Sequence, residues 1–253
     1  MESRRQRRIS KSAAVYIPVG ALIIVVLTLL GISSFLRIMA IEVQGATRYS
    51  AEDVVSVSGI SHGDNLLFLN MEAAERRIVT AMPFVSEAII SRIMPDTIKI
   101  EIVESIPAAF IELRGEFFII NSTGRVLERT ETSPAGLVEI RGITPVEATP
   151  GAQLRVEGGA ETNAQHMRYV LATFEREGIL DEVSHLDVTN FAQINFGFQG
   201  RFNVLVGNRD NLRQKLANLQ NAIAGINEEF GEDATGQINV RNHTERPRFF
   251  PDE

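Results

Sequence analysis

The chain has neither cysteine nor tryptophan among its 253 residues. Without cysteine there is no disulfide framework, no thiolate zinc site and no cysteine nucleophile. Lysine is nearly as scarce, with Lys11, Lys99 and Lys215 alone. The positions three before them hold Arg8, Asp96 and Leu212, so the SxxK arrangement of penicillin-binding wall enzymes is missing. A GxxxxGK[ST] phosphate loop is missing too. His62, His166, His185 and His243 do not fall at the HxxxH or HxH spacings that bring two imidazoles to one metal. Basic charge is scarce beyond the start. The first eleven residues hold five bases against Glu2, a balance of +4, so a formal net charge of −7 leaves −11 on the rest. A body so acidic, with no basic patch, excludes nucleic acid as its main partner.

Carboxylates are plentiful but do not converge in sequence. Glu228, Glu229, Glu232 and Asp233 surround Gly231 and read as a solvated helix end. Glycoside hydrolysis needs two carboxylates held across a cleft. In "GDN", Asp64 is a single acid, where calcium takes about six to eight oxygens. No cofactor, metal or small-molecule substrate is expected.

What the chain does have is one long apolar run. "AAVYIPVGALIIVVLTLLGISSFL", residues 13–36, carries no charge, and about 20 apolar helical residues suffice to cross a bilayer. Arginines crowd its N-terminal side, and Arg37 alone follows it. That bias predicts residues 1–12 in the cytoplasm and the bulk of the chain outside. A cleaved signal peptide is the rival reading. Its apolar region usually spans about 7–15 residues, and "IMA" puts Ile38 where cleavage favours a small side chain. "SRRQRR" also contains twin arginines, but the apolar run is strong for such a signal. A retained single-pass anchor is the expectation.

The next stretch reads as strand, helix, helix, strand, strand. Ile41 and Val43 alternate with Glu42 and Gln44. "GATRYS" turns the chain, and Ser50 with Asp53 forms a capping box for a helix bearing Ala51, Val54 and Val55. Gly59 stops that helix. Asn70 caps a second, with Met71, Ala74, Ile78 and Ala81 on one face. "FVSEAIISRIM" and "TIKIEIVE" are strands, the latter placing Ile98, Ile100 and Ile102 on one side.

A second unit follows. "AAFIEL" and "EFFIINSTGRVLER" form a hairpin-like pair around Arg114 and Gly115, "STGRV" is a further turn, and "GLVEIRGI" is another strand. Residues 144–159 read as a surface loop broken by Pro145, Pro150 and Gly151. "TNAQHMRYVLATFEREG" is an amphipathic helix, with Met167, Val170, Leu171 and Phe174 as its stripe. Three short strands come next. Asp210 then reads as the cap of a helix striped by Leu212, Leu216, Leu219, Ile223 and Ile226. "GQINVRN" and "RPRFF" close the chain as strands.

These patterns resemble the bacterial cell-division protein family FtsQ/DivIB. The resemblance rests on "V-x-G" after the first strand, "G-x-N-L-x-x-x-N", "P-x-V", and above all "P-D-T-I-K-I-x-I-V-E" leading to "P-A-A". It continues in "FFIINSTGRVL", in "L-D-V-T-N" followed by "I-N-F", in "VLVG" followed by "LRQKLANLQ", and in "INVRN". The match weakens after Asn242. The implied fold class is α+β: a single N-terminal transmembrane helix, a POTRA domain of order β-α-α-β-β, and a mixed β-sheet domain with two helices. Expected boundaries are 1–12 for the tail, 13–36 for the span, 38–107 for the POTRA domain and 108–253 for the β domain.

The resemblance implies a non-enzymatic bitopic scaffold of the division machinery, in the plasma membrane at the septum. It would bind FtsL-like and FtsB/DivIC-like bitopic partners, and other division proteins through the POTRA domain, and couple them to septal peptidoglycan synthesis. The family's partner contacts fall on the last strand and its neighbour, here Asn242, Arg246, Arg248, Phe249 and Phe250. One of two adjacent strand phenylalanines must face away from the core. Other readings keep a POTRA unit as a receptor for client chains, or make the chain a membrane-tethered wall hydrolase. The first normally continues into a β-barrel, and the stretch after residue 108 lacks repeated alternating strands of ten residues. The second needs a catalytic constellation that the sequence does not supply.

Overall fold

The computed structural model describes residues 18–25, 27, 31 and 36–252. Residues 18–25, 27 and 31 are helical. The expected tail 1–12 and most of the expected span 13–36 lie outside the described residues. Among the described residues no helix is long and apolar enough to cross a membrane. Two compact units divide the chain. One ends at Ile78 and takes in Glu87–Val103, and the other takes in Val79–Ser86 and continues from Glu104.

The first β-α-α-β-β segment is β1 (Ala40–Gln44), α1 (Ala51–Ser58), α2 (Met71–Ala81), β2 (Val85–Ile93) and β3 (Thr97–Glu104). Its sheet has the order β1-β3-β2, with β1 parallel to β3. The capping box forms as expected. Ser50 Oγ accepts from Asp53 N at 3.1 Å, and Asp53 Oδ2 accepts from Ser50 N at 3.4 Å. Asn70 Oδ1 accepts from Ala73 N at 3.0 Å at the start of α2. The expected α2 stripe is right for Ala74 and Ile78, which are buried, but Ala81 is exposed. The helix ends there, and Met82 takes the inward place once the helical period is broken. Gly45, the glycine of "V-x-G", has φ +82°, and a Cβ there would collide with the Ile102 carbonyl on β3. Only glycine joins β1 to its turn this close to the neighbouring strand.

The second unit contains a nine-stranded sheet of order β14-β13-β12-β11-β10-β7-β4-β5-β6. Its strands are β4 (Ala109–Leu113), β5 (Glu116–Ile120), β6 (Val126–Thr130), β7 (Val138–Arg141), β10 (Val183–Asp187), β11 (Ile194–Phe198), β12 (Phe202–Gly207), β13 (Gly236–Asn239) and β14 (Arg248–Pro251). Arg114 and Gly115 both have positive φ, 56° and 83°, as a two-residue hairpin turn demands. The 144–159 stretch, expected as a plain loop, holds a small hairpin of β8 (Pro145–Glu147) and β9 (Arg155–Val156). Pro145 heads a strand of a two-stranded ribbon, a place where its missing N–H costs little.

Two crossovers determine which face of the sheet is covered. Helix α3 (Glu161–Glu177) connects β7 to parallel β10, and α4 (Leu212–Phe230) connects β12 to parallel β13. β10 is antiparallel to β11, and β11 to β12, so β7 and β12 run the same way. Both crossovers step in the same direction across the sheet. Parallel crossovers are right-handed, which sends both helices to one face. There Met167, Val170, Leu171 and Phe174 of α3 and Leu212, Leu216, Leu219, Ile223 and Ile226 of α4 join the inward strand residues in one core. Asp210 does not cap α4. The cap is Asn211, in the left-handed region at φ 54° without a side-chain capping bond, and Asp210 accepts from Asn208 Nδ2 at 2.6 Å. One turn into α4, the buried Lys215 ammonium donates to Val206 O at 3.0 Å, Asn208 O at 2.8 Å and Asn208 Oδ1 at 3.1 Å.

Candidate functional site

The last strand, β14, is an edge of the nine-stranded sheet. It pairs antiparallel with β13, with Asn239 opposite Arg248, Ile238 opposite Phe249, Gln237 opposite Phe250 and Gly236 opposite Pro251. Ile238 is fully buried, so this register turns Phe249 inward. Its ring meets Phe202 at 6.0 Å and Phe230 at 5.3 Å, both edge to face. Phe249 is therefore a packing residue. Phe250 points the other way and is 51% exposed. Arg248, two residues earlier, shares that face and lies 3.8 Å from Glu245.

The other two expected contacts lie in the connection from β13 to β14. Asn242 organises this turn: its Oδ1 accepts from Thr244 N at 3.1 Å and Thr244 Oγ1 at 2.8 Å, and its Nδ2 donates to Glu245 at 2.7 Å. Asn218 of α4 pins the same turn by donating to His243 O at 2.8 Å. Arg246 is exposed and lines two clefts. One, of about 240 Å³, brings Asn242, Arg246 and Arg248 together with Asn239, Arg241 and Glu245. The other, of about 780 Å³, runs between α4 and the β13–β14 connection, with Asn218, Ala222, Gly225, Phe230 and Pro247 in its walls. The sequence reading missed this groove. Its signal was a second stripe at helical spacing on α4 (Asn218, Ala222, Gly225 and Glu229), polar and small rather than apolar.

The backbone of the edge is unusual. Asp252 N donates to Thr235 O at 3.1 Å, so residue 252 faces β13. By strand alternation residues 250 and 248 do likewise, while Pro247, Phe249 and Pro251 face away. Proline has no N–H. Of these three outward positions, only Phe249 offers a donor, while all three offer carbonyls.

Another polar group lies on the helix-free face of the sheet, where Glu139, Arg141, His185 and Asp187 are register neighbours on β7 and β10. Arg141 Nη2 donates to Glu139 at 2.6 Å, and this bond holds the Glu139 carboxyl below its ordinary range. Burial works against ionising Asp187, but hydrogen bonds from Thr189, one of them 2.8 Å from its backbone N, hold it low. His185 Nδ1 lies 3.3 Å from Ser184 Oγ. Both carboxylates are thus engaged by other groups, and neither is hydrogen-bonded to the imidazole as a serine–histidine–acid triad requires. Among the described residues no group of His, Asp and Glu could hold a metal ion.

Burial, helped by Arg141, lowers the His185 pKa. The unfolded histidine, near 6.5, then binds protons that the folded one refuses. Stability is full above that value and declines as pH falls through the folded pKa. Urea unfolding of His185→Gln should show a flatter decline just below pH ~6.5 than the unaltered chain. Equal slopes would refute this account. Glu139 and Asp187 titrate in a separate, lower window.

Comparison with known proteins finds one family model and several relatives similar to this chain. Residues 36–105 match the model of the POTRA domain, FtsQ-type. The chain is similar to the cell division protein FtsQ of Corynebacterium glutamicum, 35% identical over 128 residues, covering 49% of this chain and 57% of that protein. It is 26% identical over 220 residues to the cell division protein DivIB of Clostridium tetani, covering 87% of this chain and 81% of that protein. FtsQ of Chloroflexus aurantiacus is 32% identical over 143 residues, covering 55% of this chain and 50% of its own length. The alignments thus span about half of the two FtsQ relatives and most of the DivIB relative.

Proposed function

We propose that the chain is a member of the FtsQ/DivIB family of cell division proteins, to which it is similar, and a non-enzymatic bitopic scaffold of the division machinery. Residues 13–36 anchor it in the plasma membrane at the septum, with residues 1–12 in the cytoplasm. A POTRA domain over 38–107 engages other division proteins, and a β domain over 108–253 holds FtsL-like and FtsB/DivIC-like partners. The chain thereby couples them to septal peptidoglycan synthesis.

One observation carries this reading: β14 is a sheet edge with Phe250 and Arg248 projecting beside it. Edge carbonyls give an added strand its affinity, and flanking side chains give specificity. With one outward N–H, the added ladder is short, so side chains carry much of the contact. Sharing one membrane raises the partners' effective concentration, and a modest interface then suffices.

The test is co-purification of an FtsB/DivIC-like partner with the full chain. Phe250→Ala, paired with Arg248→Glu, should weaken binding by at least about 2 kcal/mol, roughly thirtyfold, as for interface anchor residues. Imaging a fluorescent fusion should give a midcell band. Unchanged binding by both variants would refute β14 as the partner edge, and a uniform envelope signal would refute the division role.

A further inference from the structure

The first unit carries a set of exposed apolar side chains that its core does not explain. Phe68 is 80% exposed and Met39 69%, and Leu67, Ile93 and Met94 are exposed beside them in sequence. They belong to three segments tied together by short bonds. Ile38 N donates to Asp64 O at 2.9 Å, Gly63 N to Ile38 O at 2.8 Å and Met39 N to Asp96 O at 2.8 Å. Arg92 Nε donates to Leu66 O at 2.6 Å, and its Nη2 to Leu69 O at 3.0 Å. Phe68 sits in a turn that is itself bonded, with Leu67 N on Asn65 Oδ1 at 2.9 Å and Phe68 N on Asn65 O at 3.2 Å. The loop is held in shape with Leu66 buried beneath it and Phe68 outside.

The position of this cluster points to its occupant. Leu66 N donates to Leu36 O at 2.8 Å, and Leu36 is the last residue of the uncharged run 13–36. Phe68 is two residues beyond Leu66, so at most about 7 Å of chain separates them. Interfacial apolar side chains penetrate about 5–10 Å into the headgroup and acyl boundary. The cluster therefore lies within reach of the surface from which the run would emerge. Resting on the anchored reading proposed above, we infer that Met39, Leu67, Phe68, Ile93 and Met94 form an apolar footprint by which the first unit docks on the phospholipid bilayer.

The local charges constrain the kind of surface. Arg37 and Arg92 lie in the same tied segments as Asp64 and Asp96. Two bases against two acids make no net basic patch, so anionic headgroups are not what is recognised. Docking runs on apolar insertion, and a zwitterionic bilayer is enough. The consequence is orientation: the first unit lies against the membrane instead of swinging about residue 37.

The cysteine-free chain makes a direct test possible. The full chain, spin-labelled singly at Phe68→Cys, Met94→Cys, Val103→Cys or Val25→Cys, is reconstituted in phosphatidylcholine bilayers. Accessibility to oxygen, which concentrates in lipid, is compared with accessibility to an aqueous nickel chelate. Labels at 68 and 94 should be severalfold more lipid-accessible than the label at the exposed apolar Val103, and phosphatidylglycerol should not increase the difference. Introducing Phe68→Asp should lower the lipid accessibility at 94 severalfold. If 68 and 94 match 103 while 25 is in lipid, the footprint is refuted and the anchor stands. If 25 is water-accessible, the anchor fails and the footprint with it. Spin–spin broadening at 68 that disappears on dilution with lipid would assign this face to a second copy and overturn the proposal.

Discussion

Phe174→Ala is expected to cost about 3–5 kcal/mol of folding stability, the range for deleting a buried aromatic ring. Phe174 is completely buried on α3, and its ring lies 4.8 Å from that of Phe196 on β11. Phe196 in turn meets Phe198 edge to face at 6.0 Å. The side chain thus fastens a crossover helix to the middle of the sheet, where the surrounding strands are tied on both sides and cannot collapse into the cavity. Against a total of about 5–15 kcal/mol for a domain of this kind, the loss decides whether the second unit folds. Urea unfolding of the detergent-solubilised chain measures it. A loss below about 1 kcal/mol would mean that α3 is not seated on the sheet as described.

Lys215→Met should cost about 2–3 kcal/mol, and should also change the response to pH. Methionine fills a similar volume but donates nothing. The fully buried Val206 carbonyl would then lack its ammonium partner, at about 1–3 kcal/mol for an orphaned acceptor, and the two acceptors of Asn208 would lose theirs. Burial lowers the Lys215 pKa, with Asp210 opposing in part. The unfolded lysine, near 10.4, therefore keeps its proton after the folded one has released it. Stability contributed by this group rises with pH across that window. The variant should lack the rise, so an unaltered slope would refute the assignment even if the stability loss were found.

How much of this could be read in the sequence depended on range. The strands around Ile98, Ile100 and Ile102, the Ser50 capping box and the α4 stripe are local patterns of period two or 3.6, and they appear where expected. Asp210 misled because a good capping side chain is easily outbid by a neighbour, here Asn208, within hydrogen-bond reach. The order of the nine strands depends on pairings far apart in sequence, and no local period encodes them. Alternation could say that one of Phe249 and Phe250 faces outward. Choosing Phe250 required the register against buried Ile238. The resemblance marks Asn242 as a partner contact, and only the structure shows that its side chain also holds its own turn. The groove beside α4 escaped because its lining is polar and small, while apolar stripes are what sequence reading weights.

The proline-flanked edge has a consequence for the company this chain keeps. A bare sheet edge invites identical edges to join. Two copies of β14 laid side by side would each bring three carbonyls and a single N–H at Phe249. Most acceptors would remain unmet, and the pair would gain little over water. A different chain with a full row of amides could satisfy those carbonyls. Pro247 and Pro251 therefore disfavour pairing of β14 with its own copy by hydrogen-bond inventory alone.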